Sequence, residues 1–134
     1  DIIVNSGGDN ISPQKIEGIL SLENQIAQSM GYGDNHPYLV ALIIPDTDYV
    51  KQWARKNNHA LDMDLIIKNE HFKKDMAKIV ASVNHGLSNI EKVRKFILSA
   101  TPFSVENAQL TPTLKIRRHM IKQVYHDQLE NLYV

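Results

Sequence analysis

Tyr38-Leu39-Val40-Ala41-Leu42-Ile43-Ile44, closed by Pro45, decides the fold. A continuous apolar run of this length, rich in β-branched residues, suits a buried strand. Just before it, Gly31-Tyr32-Gly33-Asp34-Asn35 has turn chemistry. Gln25 to Met30 fits a second strand, so strand, turn and strand make a hairpin.

Downstream of the hairpin, Asp46 or Thr47 can cap a helix that carries Val50, Trp53 and Ala54 and ends at Asn57-Asn58. Asn69 can cap a longer helix. Its apolar residues Phe72, Met76, Ile79, Val80, Val83 and Leu87 are spaced 4, 3, 1, 3 and 4, one helical face. Lys92 to Leu98 reads as a strand and Pro102 to Gln109 as a loop. The last helix is expected to start near Ile116, with Ile121, Val124, Tyr125, Leu129 and Leu132 on its apolar face. Upstream, Ile2 to Val4 is a short strand broken by Asn5-Ser6-Gly7-Gly8-Asp9-Asn10. Ser12-Pro13 then reads as N-cap and first residue of a helix with Ile16, Ile19 and Leu20 inward. The expectation is one α+β domain over residues 1–134, a small antiparallel-containing sheet packed with helices.

The 15 Lys and Arg balance 15 Asp and Glu, so no global field draws the chain to nucleic acid or an anionic membrane. Any anion site must be local. With no cysteine, disulfides, thiol nucleophiles and thiolate metal sites are excluded. No apolar run approaches the ~18 residues of a membrane span. Asp1-Ile2-Ile3-Val4 begins like structure, without an initiating methionine or secretory signal, so a piece of a longer, cytoplasmic polypeptide is expected. The six histidines show no metal-binding spacing and read as surface or structural, and no metal ligands are expected in this chain.

Two segments carry candidate chemistry. In Ser6-Gly7-Gly8-Asp9-Asn10-Ile11-Ser12-Pro13, paired glycines between a strand and a helix permit positive φ and close ligand approach, beside helix N–H groups suited to an anion. An ordinary strand-to-helix turn explains the same residues. In Leu110-Thr111-Pro112-Thr113-Leu114-Lys115-Ile116-Arg117-Arg118, three cations crowd the opening of a helix, where the macrodipole opposes them. Such a loop suits a phosphate or carboxylate. A solvated basic turn explains it too.

Taken together the two segments are specific. Asp1 to Pro13, ending in Ile16-Glu17, resembles the glycine-loop motif that opens the C-terminal domain of adenylate-forming enzymes, with Asp9 in place of the usual Glu. Gly33-Asp34-Asn35 and Tyr38 to Asp46 resemble that domain's hairpin. Leu110 to Arg118 is similar to its lysine motif; Leu114 before the lysine, where Gly is commoner, is typical of the long-chain acyl-CoA synthetase branch.

The resemblance implies the C-terminal lid domain of a fatty acyl-CoA synthetase. ATP and a fatty acid would give acyl-AMP, and coenzyme A would then displace AMP. A large N-terminal domain would be the lid's partner and would hold Mg²⁺. Lys115 is implied as the catalytic residue, and Ser6, Gly7, Gly8, Asp9, Asn10, Thr113, Arg117 and Arg118 as contacts to nucleotide or coenzyme A. The domain alone is expected to be inactive. The parent enzyme is expected in the cytoplasm, with peripheral membrane association open. The rival readings are the lid of an aryl- or amino-acid-activating ligase, and an independent anion-binding or interaction domain.

Overall fold

The computed structural model describes residues 1–134. Strand β1 is Ile3–Val4 and β2 is Asn10–Ile11, an antiparallel pair with Ile3 opposite Ile11. Helix α1, Pro13–Leu20, begins with Ser12 accepting from the Lys15 amide and Pro13 in its first turn. Strands β3 (Ile26–Tyr32) and β4 (Leu39–Pro45) form the antiparallel hairpin, Met30 opposite Leu42. Next come α2 (Thr47–Lys56, capped by Asp46), a single turn α3 (Met63–Ile66, capped by Asp62), and α4 (Glu70–Asn84, capped by Asn69). Strand β5, Val93–Leu98, returns parallel to β4, and α5 spans Arg118–Glu130.

The apolar run lies in the middle of the sheet β3-β4-β5. Leu39, Ala41 and Ile43 face a core built with Ile16, Leu20, Val50, Trp53, Phe72 and Met76 from α1, α2 and α4. Val40, Leu42 and Ile44 face a second core with Ile121, Tyr125 and Leu129 of α5. Burial on both faces removes any reason to alternate with polar residues. Each such Val, Leu or Ile contributes about 1.5–3 kcal/mol by leaving water.

Several expectations need correction. Helix α5 starts at Arg118, because Ile116 is bridged to Leu110 and belongs to the preceding loop. Val124 is 61% exposed, off the stripe formed by Ile121, Tyr125 and Leu129. Leu87 is buried but lies beyond the end of α4. The glycines do not lead directly into α1: they close a hairpin between β1 and β2, and β2 intervenes.

The turn after β3 supports that hairpin. The Val4 amide donates to Asp34 Oδ1 at 2.9 Å, the Asn35 amide to Val4 O at 2.9 Å, and the Ser6 amide to His36 O at 2.9 Å. The turn is pinned in turn from the C-terminus. His36 stacks on Tyr133 at 3.7 Å and pairs with Glu130 at 2.8 Å, while Tyr32 donates to the same carboxylate. The Tyr32 hydroxyl first, then His36, holds Glu130 below the usual carboxylate range. Burial first, then Glu130, pushes the Tyr32 phenol up.

Gly33 leaves the turn no slack. A Cβ there would stand 2.7 Å from Leu39 Cδ2 and 3.2 Å from Tyr38 O, and Leu39 is fully buried. Gly33→Ala is expected to lower unfolding stability by about 1–3 kcal/mol through overpacking. A urea midpoint equal to that of the unaltered chain would refute this.

Candidate functional site

The first loop is organised by Asn5, which is buried. Its Oδ1 accepts from the Asp9 amide at 2.9 Å, its Nδ2 donates to Asp9 Oδ2 at 3.3 Å, and its own amide donates to Asp9 O at 3.1 Å. The Gly8 amide donates to Asn5 O at 3.0 Å, which closes the turn. Gly8 has φ +88°, a conformation that suits glycine. Gly7 has no such need, since a Cβ there would meet only Asn5 Oδ1 at 3.4 Å and Asp9 Oδ2 at 3.7 Å. Ser6, Gly7, Gly8, Asp9 and Asn10 are all exposed, so the loop presents a side-chain-poor surface held from beneath by Asn5.

The second loop is a finger. Leu110 and Ile116 pair as its base. The Thr111 amide donates to Lys115 O at 2.8 Å, the Leu114 amide to Thr111 O at 2.8 Å, and the Lys115 amide to Thr111 Oγ1 at 3.1 Å. Thr113 Oγ1 lies 3.1 Å from Thr111 Oγ1. Thr113, Leu114 and Lys115 are exposed at its end.

The three cations separate into different environments. Arg117 turns back into the finger's base, donating its amide to Gln109 O at 2.8 Å and its guanidinium to Ala108 O at 3.2 Å. Arg118 is tied bidentately to Glu17 at 2.6 and 3.0 Å and to Asp1 at 3.2 Å. Of the three only Arg118 is ion-paired, and Lys115 is the one that stands exposed at the finger's end. The basic run is therefore one exposed ammonium on a braced support rather than a continuous cationic surface. Arg118 and Arg117 serve the support in this conformation.

An open cleft of about 490 Å³ has walls that include Asp1, Asp34, Thr111, Arg117, Arg118 and Lys122; of the sequence-predicted site residues it gathers Arg117 and Arg118, while Ser6 to Asn10, Thr113 and Lys115 lie outside it. Charges of both signs line it. Glu17 and Asp34, which fix Arg118 and β1, are the residues that spacing arguments overlooked: their partners lie 101 and 30 positions away. The pattern Pro13-x-x-Ile16-Glu17 was the available signal for Glu17. No three His, Asp or Glu side chains converge as a metal-ion cluster.

A family model described as the AMP-binding enzyme C-terminal domain matches residues 1–134. The chain is 33% identical over 131 residues to long-chain-fatty-acid–CoA ligase 1 of Cavia porcellus, covering 94% of this chain and 18% of that protein. It is 29% identical over 142 residues to long-chain-fatty-acid–CoA ligase FadD15 of Mycobacterium tuberculosis, covering 99% and 22%. The chain thus spans about a fifth of the length of these curated relatives. Among solved structures, the adenylation domain of a Mycobacterium chelonae carboxylate reductase superposes with TM-score 0.81 at 24% identity, over 98% of this chain and 19% of that one. A Mycobacterium tuberculosis fatty acyl-CoA synthetase gives 0.57 at 19% identity, over 96% and 20%. These structural likenesses show the fold.

Proposed function

This chain belongs to the AMP-binding enzyme C-terminal domain family, and from that premise we propose that it is the mobile lid of a fatty acyl-CoA synthetase whose larger N-terminal domain holds most of the ATP and acyl sites. The observation that carries the reading is Lys115, the one cation of its cluster that is exposed, on a finger braced by backbone bonds and by the Arg118–Glu17 pair.

In the first half-reaction a carboxylate oxygen bonds to the α-phosphorus of ATP, and the bond to pyrophosphate breaks. Two anions must approach each other. An ammonium between them offsets their repulsion and the charge that builds on the α-phosphate oxygens. Lys115 is assigned that role, with Thr113 beside it. In the second half-reaction the coenzyme A sulfur bonds to the acyl carbon and AMP leaves. The lid then presents its other loop, where Ser6 to Asn10 form one wall of the pantetheine path. Magnesium, supplied from outside this chain, would share the phosphate charge when bound.

The fatty acyl assignment is supported by relatives at 30–33% identity, which are named as long-chain fatty acid ligases. A second reading, the lid of a carboxylate-reductase-type adenylation domain, draws support from the higher TM-score, 0.81 against 0.57. Supplying coenzyme A as acceptor separates the two.

Gly7→Leu in the full-length enzyme tests the loop assignment. Pyrophosphate release should persist while acyl-CoA formation fails, because the side chain would fill the pantetheine path. The fold should be unharmed, since the nearest atoms to a Cβ there are at ordinary contact distance, 3.4 Å. Normal acyl-CoA production by this variant would rule out the assignment.

A further inference from the structure

Four residues with side chains adopt positive φ: Asn35, Asn58, Ala108 and Leu114. Asparagine tolerates this conformation through local hydrogen bonds; alanine and leucine adopt it only at a steric cost. Ala108 and Leu114, each at φ +65°, lie at the root and the end of the lysine finger. The one buried side-chain atom lacking a hydrogen-bond partner, Gln109 Oε1, lies at the same root. Strain and an unmet acceptor are therefore concentrated on the segment that carries Lys115.

Leu114 is the sharpest of these features. Glycine would adopt its backbone conformation without steric cost. Its side chain is 68% exposed, so contacts within this chain do little to offset that cost. Its amide is bonded to Thr111 O and the next amide to Thr111 Oγ1, so Leu114 and Lys115 are held in one tight turn. Strain retained at a turn beside a reactive group points to a contact made in another state.

We propose that Leu114 is the positioning residue for Lys115. In the adenylating orientation it docks into an apolar recess on the large domain of the same enzyme, and that anchorage fixes where the ammonium stands. The inference rests on the lid reading above. The occupant is the enzyme's own remaining chain, because this domain makes up only 18% of a relative with which it shares 33% identity. The bland account is that the turn requires a left-handed residue and that any residue able to adopt it serves.

The test uses the full-length enzyme with Leu114→Asn, Leu114→Gly and Leu114→Met, and Lys115→Ala as reference. Asn and Gly suit the backbone, so their thermal midpoints should equal or exceed that of the unaltered enzyme. Their kcat/KM for pyrophosphate release should nevertheless fall on the order of tenfold to a hundredfold, the loss expected for one buried leucine contact. Acyl-CoA formation from supplied acyl-adenylate should be unchanged, and Met should recover most of the loss. If Asn impairs folding, Gly carries the same test. Unaltered pyrophosphate release by the Asn or Gly variant overturns the proposal, and so does equal loss in both half-reactions. If Lys115→Ala itself leaves adenylation intact, the lysine assignment fails first and takes the anchor with it. A damaging Lys115→Ala with a fully active Leu114→Gly overturns the anchor alone.

Discussion

Lys115→Ala in the full-length enzyme is expected to slow acyl-adenylate formation on the order of 10²–10³-fold while sparing acyl-CoA formation from supplied acyl-adenylate. The size of the first effect follows from the surroundings of the lysine. Arg117 and Arg118 are close in sequence but are committed to Ala108 O and to Glu17 and Asp1, so neither is free to replace the lost ammonium. The sparing of the second step follows from the proposed rotation of the lid, which would withdraw the finger when the glycine loop is presented. Stability should hardly change, because Lys115 is an exposed side chain without an ion pair, and such substitutions are usually within about 0.5 kcal/mol. Pyrophosphate release and thioester formation, followed separately, check the prediction. Equal damage to both steps would remove Lys115 from its assigned role.

What the sequence disclosed and what it withheld divide along a physical line. Caps and turns are local, so Ser12, Asp46 and Asn69 could be read from their neighbours, and each accepts the expected backbone hydrogen bond. The run from Tyr38 to Ile44 revealed a buried strand because two cores meet on it. Strand direction was not legible. The chain between β4 and β5 passes through α2, α3 and α4, and that crossover is what makes the pairing parallel. The two-residue strands β1 and β2 are too short to show any period, so their hairpin passed for a simple loop. The start of α5 was misplaced because a bridge to Leu110, a backbone event, removes Ile116 from the helix. The basic cluster was visible, but composition does not reveal which of its members a distant carboxylate has claimed. The lysine and glycine motifs came from family resemblance. The geometry adds that Gly8, rather than Gly7, requires left-handed backbone, and that Leu114 adopts it without being glycine.

Glu17→Ala should be among the most destabilising changes available in this domain, at about 3–5 kcal/mol. Glu17 receives both arms of Arg118 and also accepts from the Gly31 amide at 2.7 Å. The two side chains are only 13% and 10% exposed. Removing the carboxylate leaves a guanidinium out of water with Asp1, itself 65% exposed, as its remaining carboxylate, and leaves a strand amide without its acceptor. Both penalties act together, whereas deleting one partner of a surface pair costs only about 0–1 kcal/mol. Lys15–Glu91, at 2.7 Å but with the lysine 55% exposed, is the internal comparison. Urea unfolding of Glu17→Ala and Lys15→Ala, measured side by side, should give a large and a small change. Similar small losses for both would mean that Arg118 reaches water readily once released. The prediction also bears on function, because Arg118 opens α5 three residues after Lys115 and its pairing joins the finger to α1 and β3. A variant that still folds should therefore lose adenylation before thioester formation, as the finger is freed from the elements that brace it.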